Sequence, residues 1–267
     1  MKDPWAVLVS EVMLQQTQAT RVVEPWRRFL DALPTVASCA HVSRASVIGL
    51  WSGLGYNRRA GYLQDAARTI VETFDGHVPQ DPAILRQLPG VGAYTANAVA
   101  SFAFGVRVGV LDTNVGRILA RAIANRPLGR AEAQSIADEL VDGHEPAAHN
   151  QAMLDLGAQY CTATPRCVTC PLSRHCAWRT VGGPDPARRS AAVSVRQSAF
   201  AGSDRQLRGR IVAALREGPA RLDDVVSRLA QSPQRVEGLI ESLVLDGLVE
   251  HAADSVRLVG DPRDLIG

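Results

Sequence analysis

Lysine is nearly missing from this chain. Lys2 is the only one in 267 residues, so arginine carries the rest of the positive charge. No side-chain amine is available from Asp3 to Gly267, which argues against chemistry that needs a lysine Schiff base. Long apolar runs are missing too. None approaches the roughly 20 residues of a membrane-spanning helix, and no membrane partner is expected. Met1-Lys2-Asp3-Pro4 leads into a helical pattern and not into an apolar signal segment, so cytoplasm is the expected compartment. There is no internal repeat and no low-complexity tract. Cysteine is scarce: five in all, four of them between Cys161 and Cys176. That crowding suits a metal site in a reducing compartment better than a disulfide framework. No alternating strand pattern persists before about residue 190, so most of the chain reads as all-α.

What is present supports real cores. Hydrophobic residues make up 46% of the chain, and 267 residues suffice for two or three small domains. Trp5 to Gln18 predicts an apolar helix in which Glu11 is the one carboxylate. An ionised Glu there is costly, so it is paired, exposed at one edge, or functional. Further helices are expected over Val22–Leu33, Val36–Leu50, Arg58–Phe74, Val115–Asn125, Glu132–Leu140 and Asn150–Tyr160. Leu50-Trp51-Ser52-Gly53-Leu54-Gly55-Tyr56 reads as a turn carrying exposed large side chains. Gly182-Gly183-Pro184-Asp185-Pro186 marks a boundary. Beyond Ser203 the pattern becomes helix (Asp204–Arg216), helix (Leu222–Ala230), helix (Pro233–Leu245) and two short strands near 248–251 and 255–259, the layout of a winged helix.

Leu88-Pro89-Gly90-Val91-Gly92-Ala93-Tyr94-Thr95 lies between a short apolar segment, Pro82–Leu88, and the Ala/Val-rich Ala93–Phe104. That is helix, two-glycine hairpin, helix. Gly90 and Gly92 permit a tight turn and leave amide N–H groups uncovered at a helix start, able to hold a phosphate without reading a base. An ordinary helical corner has the same local pattern. Charge is also unevenly spread. Residues 181–216 carry seven arginines against two acids, and residues 217–267 carry five against ten. A polyanion would meet the middle of the chain and not its tail. Arg205, Arg208 and Arg210 are candidate phosphate contacts.

The cysteines run Cys161-x5-Cys167-x2-Cys170-x5-Cys176, with Pro171 after the third. Four thiolates in so short a span can wrap one [4Fe–4S] cluster or a Zn²⁺ ion. Cys39 stands apart in an apolar helix and reads as core.

Five segments together resemble the adenine DNA glycosylases of the MutY family, within the helix-hairpin-helix group that includes endonuclease III. They are Ser10-Glu11-Val12-Met13-Leu14-Gln15-Gln16-Thr17, Gly53-Leu54-Gly55-Tyr56, Leu88–Gly92, Leu111-Asp112-Thr113-Asn114-Val115 and Asn150–Ala158. The match covers roughly residues 3–180. It implies a two-lobed all-α glycosylase: a six-helix lobe over 1–118 and a [4Fe–4S] cluster lobe over 119–180, with duplex DNA across the cleft. A linker, 181–202, and a small winged-helix-like domain, 203–267, would follow. The implied reaction is monofunctional hydrolytic removal of adenine mispaired with 8-oxoguanine or guanine, by a monomer. Glu11 matches the general acid that protonates the leaving adenine, and an apolar helix suits a carboxyl kept partly neutral near pH 7. Asp112 matches the carboxylate that stabilises the oxocarbenium-like sugar. It also sits where a helix N-cap would. Tyr94 and Asn114 match residues lining the site, although a packing aromatic and a cap would look the same. Gln15, Gln16, Leu54 and Tyr56 match residues at the duplex, the last three filling the gap left by the flipped base. Gln151 matches a residue that hydrogen-bonds the extruded adenine; an exposed helix position would also be polar. Cys161, Cys167, Cys170 and Cys176 match the cluster ligands.

Three departures stand out. The family places six residues between its first two cluster cysteines, and here there are five. The family's Pro-Trp-Arg wall of the adenine pocket falls before Asp3. Many relatives end in a nudix-like domain that recognises 8-oxoguanine, whereas residues 203–260 follow the winged-helix pattern, similar to actinobacterial members. Rival functions remain. A bifunctional lyase of the endonuclease III type needs a lysine at the Tyr94 position. A thymine or uracil mismatch glycosylase shares the cluster and the Asp, but Glu11 and Gln16 argue against it. A non-catalytic iron–sulfur DNA-binding regulator fits poorly with Glu237 and Glu241 on the expected recognition helix.

Overall fold

The computed structural model describes residues 3–190, 193, 200–252 and 255–263, so the expected linker falls partly outside it, at 191, 192 and 194–199. The described residues pack as two compact units, each assembled from separate stretches of chain. One takes Met1–Val7, Gln80–Arg86 and Gly92–Gln197; the other takes Leu8–Pro79, Gln87–Val91 and Ser198–Gly267.

Helix α1 (Pro4–Leu14) begins in the first unit and runs into the second. It stops four residues short of the expected Gln18. Gln16 adopts a left-handed backbone, φ 56°, and Arg59 takes the carbonyls of Val12, Met13 and Gln15 that a longer helix would have kept. Helices α2 (Val23–Ala32), α3 (Val36–His41), α4 (Arg44–Leu50) and α5 (Arg58–Phe74) follow in the second unit. The single helix expected over Val36–Leu50 is thus two. Thr35 and Ser38 form a capping box for α3, and Ser43 caps α4 by accepting from the Ser46 N–H. Phe29 and Trp51 are fully buried and meet edge to face, 6.3 Å between centroids. Cys39 is core, as expected, and burial pushes its thiol up to about 12.

In the first unit, α6 (Pro82–Leu85) and α7 (Ala93–Phe104) flank the Leu88–Gly92 turn. Helix α8 (Thr113–Ile118) continues into a π-helical segment, Leu119–Ala124, that ends at Asn125 with φ 49°. α9 (Arg130–Val141), α10 (Pro146–Gln159) and α11 (Ala177–Val181) complete it. Its core joins Leu111, Val115, Leu119, Leu128, Ala133 and Ala137. Helices α8 and α10 pack so closely that a Cβ at Gly157 would lie 2.7 Å from Asn114 Cβ.

The C-terminal part is a winged helix within the second unit: α12 (Asp204–Leu215), β1 (Ala220–Arg221), α13 (Leu222–Leu229), α14 (Pro233–Leu245), β2 (Val249–Ala252) and β3 (Ser255–Leu258). The three strands are antiparallel in the order β1-β3-β2, with Ala220 opposite Val256 and Val249 opposite Leu258. The two-residue β1 leaves no alternating pattern and escaped the sequence reading. The core of this part is not its own. Ile48 of α4 sits in it among Ile211, Val236, Ile240 and Leu258, and the Ala45 N–H donates to the Val259 carbonyl at 2.9 Å. Of the arginines considered for phosphate, Arg205 donates to Tyr56 Oη and Arg208 to Asp246 and Ser242, while Arg210 is exposed. On α14, Arg235 pairs with Asp204 at 2.7 Å, leaving Glu237 and Glu241 exposed.

Candidate functional site

In the first unit the chemistry begins with an extended segment, Val108–Leu111, fastened from several sides. Asn150, 3% exposed, accepts from the Val110 N–H and donates to the Val108 carbonyl and Ser101 Oγ, each at 2.9 Å. Asn97 and Gln134 both donate to the Gly109 carbonyl, and Asp138 accepts the Gly109 N–H at 2.7 Å. A Cβ on Gly109 would lie 2.5 Å from the Ala137 backbone, so only glycine fits there.

This strap delivers Asp112. It is the N-cap of α8: Oδ1 accepts the Val115 N–H at 2.8 Å, while Oδ2 accepts Asn114 Nδ2 at 2.7 Å. Both oxygens are oriented by donors from the first turn of α8. Burial raises the Asp112 pKa; the hydrogen bonds from Val115 and Asn114 and the charge of Arg117 work against that shift. Asn114 Oδ1 in turn accepts Arg117 Nη2, and Arg117 Nε donates to the Cys161 carbonyl, both at 2.5 Å. The cap and the polar network are one arrangement.

Cys161, Cys167, Cys170 and Cys176 line one cavity of about 30 Å³ together with Arg121, Trp178 and Arg179. Arg121, 2% exposed on the π-helical segment, donates to the Thr162 carbonyl at 2.7 Å and lies 3.5 Å from Cys161 Sγ. Its other edge makes a bidentate pair with Asp185 at 2.9 and 2.7 Å. Burial opposes the charge on Arg121, but Asp185 and Cys161 outweigh it and raise its pKa; Arg121 likewise holds Asp185 below the usual carboxylate range. Arg179 donates to the Cys167 carbonyl and Ser173 Oγ. Burial pushes the Cys161 thiol up, against the pull of Arg121 and Arg117. Among the described residues no three His, Cys, Asp or Glu side chains converge on a single-ion position.

Glu11 lies in the second unit at 6% exposure, on the α1 stretch where Leu8, Val9, Val12 and Met13 are also buried. Just beyond it, Arg59 serves six acceptors: the carbonyls of Val12, Met13, Gln15, Leu54 and Gly55, and Thr17 Oγ1. Burial lowers its pKa to about 10, so it stays charged at neutral pH. One guanidinium thereby joins the end of α1 to the Trp51–Asn57 loop. In that loop Gly53, Gly55 and Tyr56 all have positive φ (87°, 69° and 47°). Trp51 is fully buried and donates to the Gly55 carbonyl at 3.2 Å. The turn therefore does not display its large side chains. Leu54 is 3% exposed. Tyr56 is half-buried, while Gln16 is exposed. Gln15, Gln16 and Tyr56 line one open cleft of about 570 Å³.

Gln15 Nε2 donates to the Gly90 carbonyl at 3.2 Å, tying the end of α1 to the hairpin turn. Gly90 has φ 74°, and a Cβ there would lie 2.6 Å from Tyr62 Cβ, so glycine is required twice over. Gly92 is exposed and extended at the N-cap of α7, and Tyr94 is half-buried. Gln151 is exposed and donates to Asp155 one turn on, the ordinary behaviour of a polar surface position.

Sequence reasoning missed Arg59, Arg117 and Arg121. The available signal was an arginine on an apolar face, as in Leu119-Ala120-Arg121-Ala122.

Comparison with known proteins bears on these arrangements. A family model described as "HhH-GPD superfamily base excision DNA repair protein" matches residues 9–142. The adenine DNA glycosylase of Mycolicibacterium smegmatis is 40% identical over 259 residues, spanning 94% of this chain and 85% of that protein. The human adenine DNA glycosylase is 45% identical over 179 residues, 64% of this chain and 33% of that protein. A solved trapped endonuclease III–DNA covalent intermediate, an estranged-adenine complex, is similar with a TM-score of 0.61 at 25% identity, over 68% of this chain and 86% of that one.

Proposed function

This chain belongs to the HhH-GPD superfamily of base excision DNA repair proteins, and from that membership, with its adenine glycosylase relatives, we infer a glycosylase that releases adenine from DNA. It is a hydrolase, and DNA is its partner. Its substrate is adenine opposite 8-oxoguanine or guanine in a duplex. Water completes the reaction, since no lysine between Asp3 and Gly267 can form an imine with the sugar.

Glu11 protonates the leaving base, and Asp112 faces the positive charge that develops on the sugar. The observation that carries this assignment is the Asp112 carboxylate, aimed by donors on both oxygens from Val115 and Asn114. Such a group needs no reorganisation as charge develops nearby. Asn114 orients it, and Tyr94 lines the site. Gln16, Leu54 and Tyr56 occupy the duplex when the adenine is out of the stack, Gln15 supports them, and Gln151 hydrogen-bonds the extruded base. The exposed amides at Gly90 and Gly92 hold a backbone phosphate.

Cys161, Cys167, Cys170 and Cys176 hold a [4Fe–4S] cluster. Their residues fit one: four thiols bordering a single cavity, with Arg121 and Arg179 against them to balance an anionic, thiolate-ligated group. The cluster supplies a rigid anchor for the loop whose Cys161 carbonyl receives Arg117. Iron and acid-labile sulfide in equal amounts are expected in the purified protein; stoichiometric zinc without iron overturns the assignment.

The deciding test is Glu11→Gln in a single-turnover assay on an A·8-oxoG duplex. Base release should vanish while duplex affinity stays within a few-fold. Parallel loss of binding and activity would make Glu11 a structural residue.

A further inference from the structure

The C-terminal winged helix grips the loop that carries Tyr56. Arg205, near the start of α12, donates to Tyr56 Oη at 2.6 Å, and its guanidinium lies 5.4 Å from the Tyr56 ring centroid. Arg216, just past the end of α12, donates to Ser52 Oγ. Two arginines at opposite ends of one helix thus hold two hydroxyls four residues apart in the loop. Arg58 and Arg208 meet on Asp246, at 3.1 Å for the first. Ile48, three residues before the loop, is in the winged-helix core.

The loop needs holding. Tyr56 has a left-handed backbone, φ 47°, unfavourable for a residue with a Cβ, and it follows two glycines that are also left-handed. Arg59 restrains the loop from the α5 side through the Leu54 and Gly55 carbonyls, but its guanidinium only approaches the Tyr56 ring, at 5.5 Å. Arg205 holds the phenol hydroxyl, and hence the direction in which the side chain leaves the loop. Meanwhile the α14 face carries Glu237 and Glu241 exposed, with Arg235 committed to Asp204, so it offers a phosphate backbone little.

We propose that the winged helix acts in this enzyme as a positioning element for the duplex-entering loop, and that Arg205 is a positioning residue acting through Tyr56. This rests on the assignment of Tyr56 to the duplex. Charge-assisted hydrogen bonds are worth enough that losing one lowers a rate by about tenfold to a hundredfold when the pair is held in the transition state.

The test is a double-mutant cycle in the full chain, read by single-turnover adenine release from an A·8-oxoG duplex. 2-Aminopurine beside the target adenine reports local unstacking. Arg205→Ala and Tyr56→Phe should each slow release about tenfold or more and weaken the unstacking signal, and the double variant should be no slower than either. Arg205→Lys, which keeps a donor, should recover part of the loss. If Tyr56→Ala changes neither release nor fluorescence, the assignment of Tyr56 to the duplex fails. If Tyr56→Ala is impaired while Arg205→Ala is unaffected, or while the two effects in the cycle multiply, the positioning role is wrong. Should Arg205→Ala not yield folded protein, the cycle runs on Arg205→Lys with Tyr56→Phe and has the same overturning outcomes.

Discussion

Gly157→Ala should damage catalysis and stability together, although residue 157 has no side chain to lose. The added Cβ would sit 2.7 Å from Asn114 Cβ and 2.8 Å from the Asn114 backbone carbon and oxygen, where ordinary contacts begin at 3.4 Å. Two of the three obstructing atoms are backbone, so no rotamer change relieves them; α8 and α10 must separate by about 0.7 Å. Overpacking of this kind costs about 1–3 kcal/mol, a fall of several degrees in melting temperature for a chain this long. Asp112 caps α8 and hydrogen-bonds Asn114, so the same movement carries its carboxylate along with the helix and off the position that packing on α10 sets. A misplacement approaching 1 Å costs on the order of a hundredfold in rate, so about tenfold to a hundredfold is expected in single-turnover adenine release. Gly238→Ala is the control. It lies within α14 with nothing within 4 Å of the added Cβ, and should leave the rate unchanged while stabilising by up to about 1 kcal/mol. A Gly157→Ala protein that melts lower yet releases adenine normally would refute the dependence of Asp112's placement on the α8–α10 contact. One that changes in neither respect would refute the tight α8–α10 contact.

Two further outcomes follow from named groups. Burial already raises the Asp112 pKa and the Asn114 side chain lowers it, so Asn114→Ala should raise it further. The ionised form would then be lost at higher pH, and the acid limb of the adenine-release profile should move upward, with the deficit largest in acid; a uniform loss across pH speaks against this. Arg59→Met strands three buried carbonyls, Val12, Met13 and Leu54, at about 1 kcal/mol or more each, so denaturant unfolding should show a loss of at least about 3 kcal/mol, and Arg59→Lys, with three donors, an intermediate one. A loss below about 1 kcal/mol for Met would mean water replaces the guanidinium.

Helices and motifs were legible because their signals are local. Apolar spacing fixed α5 and α7 to the residue, and the cysteine spacing pointed to one cavity. Failures arose where distant groups decide. Nothing near Gln15 announces that Arg59, forty-four residues on, will take its carbonyl and end α1 early. The Trp51–Tyr56 turn looked exposed because glycines surround its large side chains, yet Trp51 and Leu54 are drawn inside. The break at Ser43 did have a local sign, a serine three residues before another, overshadowed by the apolar run around it. Ile48 shows the limit most plainly: an apolar helix residue reads the same whether it fills its own lobe's core or one built from residues more than 150 positions later.

That interleaving has a consequence for biosynthesis. The second unit draws on Leu8–Pro79 and on residues beyond Ser198, so its N-terminal helices wait for distant partners. Ala45 cannot reach Val259, nor Tyr56 its Arg205, until the later residues leave the ribosome. At roughly 5–20 residues per second, the gap between residue 79 and residue 259 lasts on the order of ten seconds or more. Through that interval the apolar side of α4 around Ile48 lacks its cover, a window in which a chaperone or an aggregating neighbour competes for it. A nascent chain halted before α12 would carry Glu11 and Asp112 but not the residues that fix Tyr56, so translational completion is itself a condition for a properly set loop.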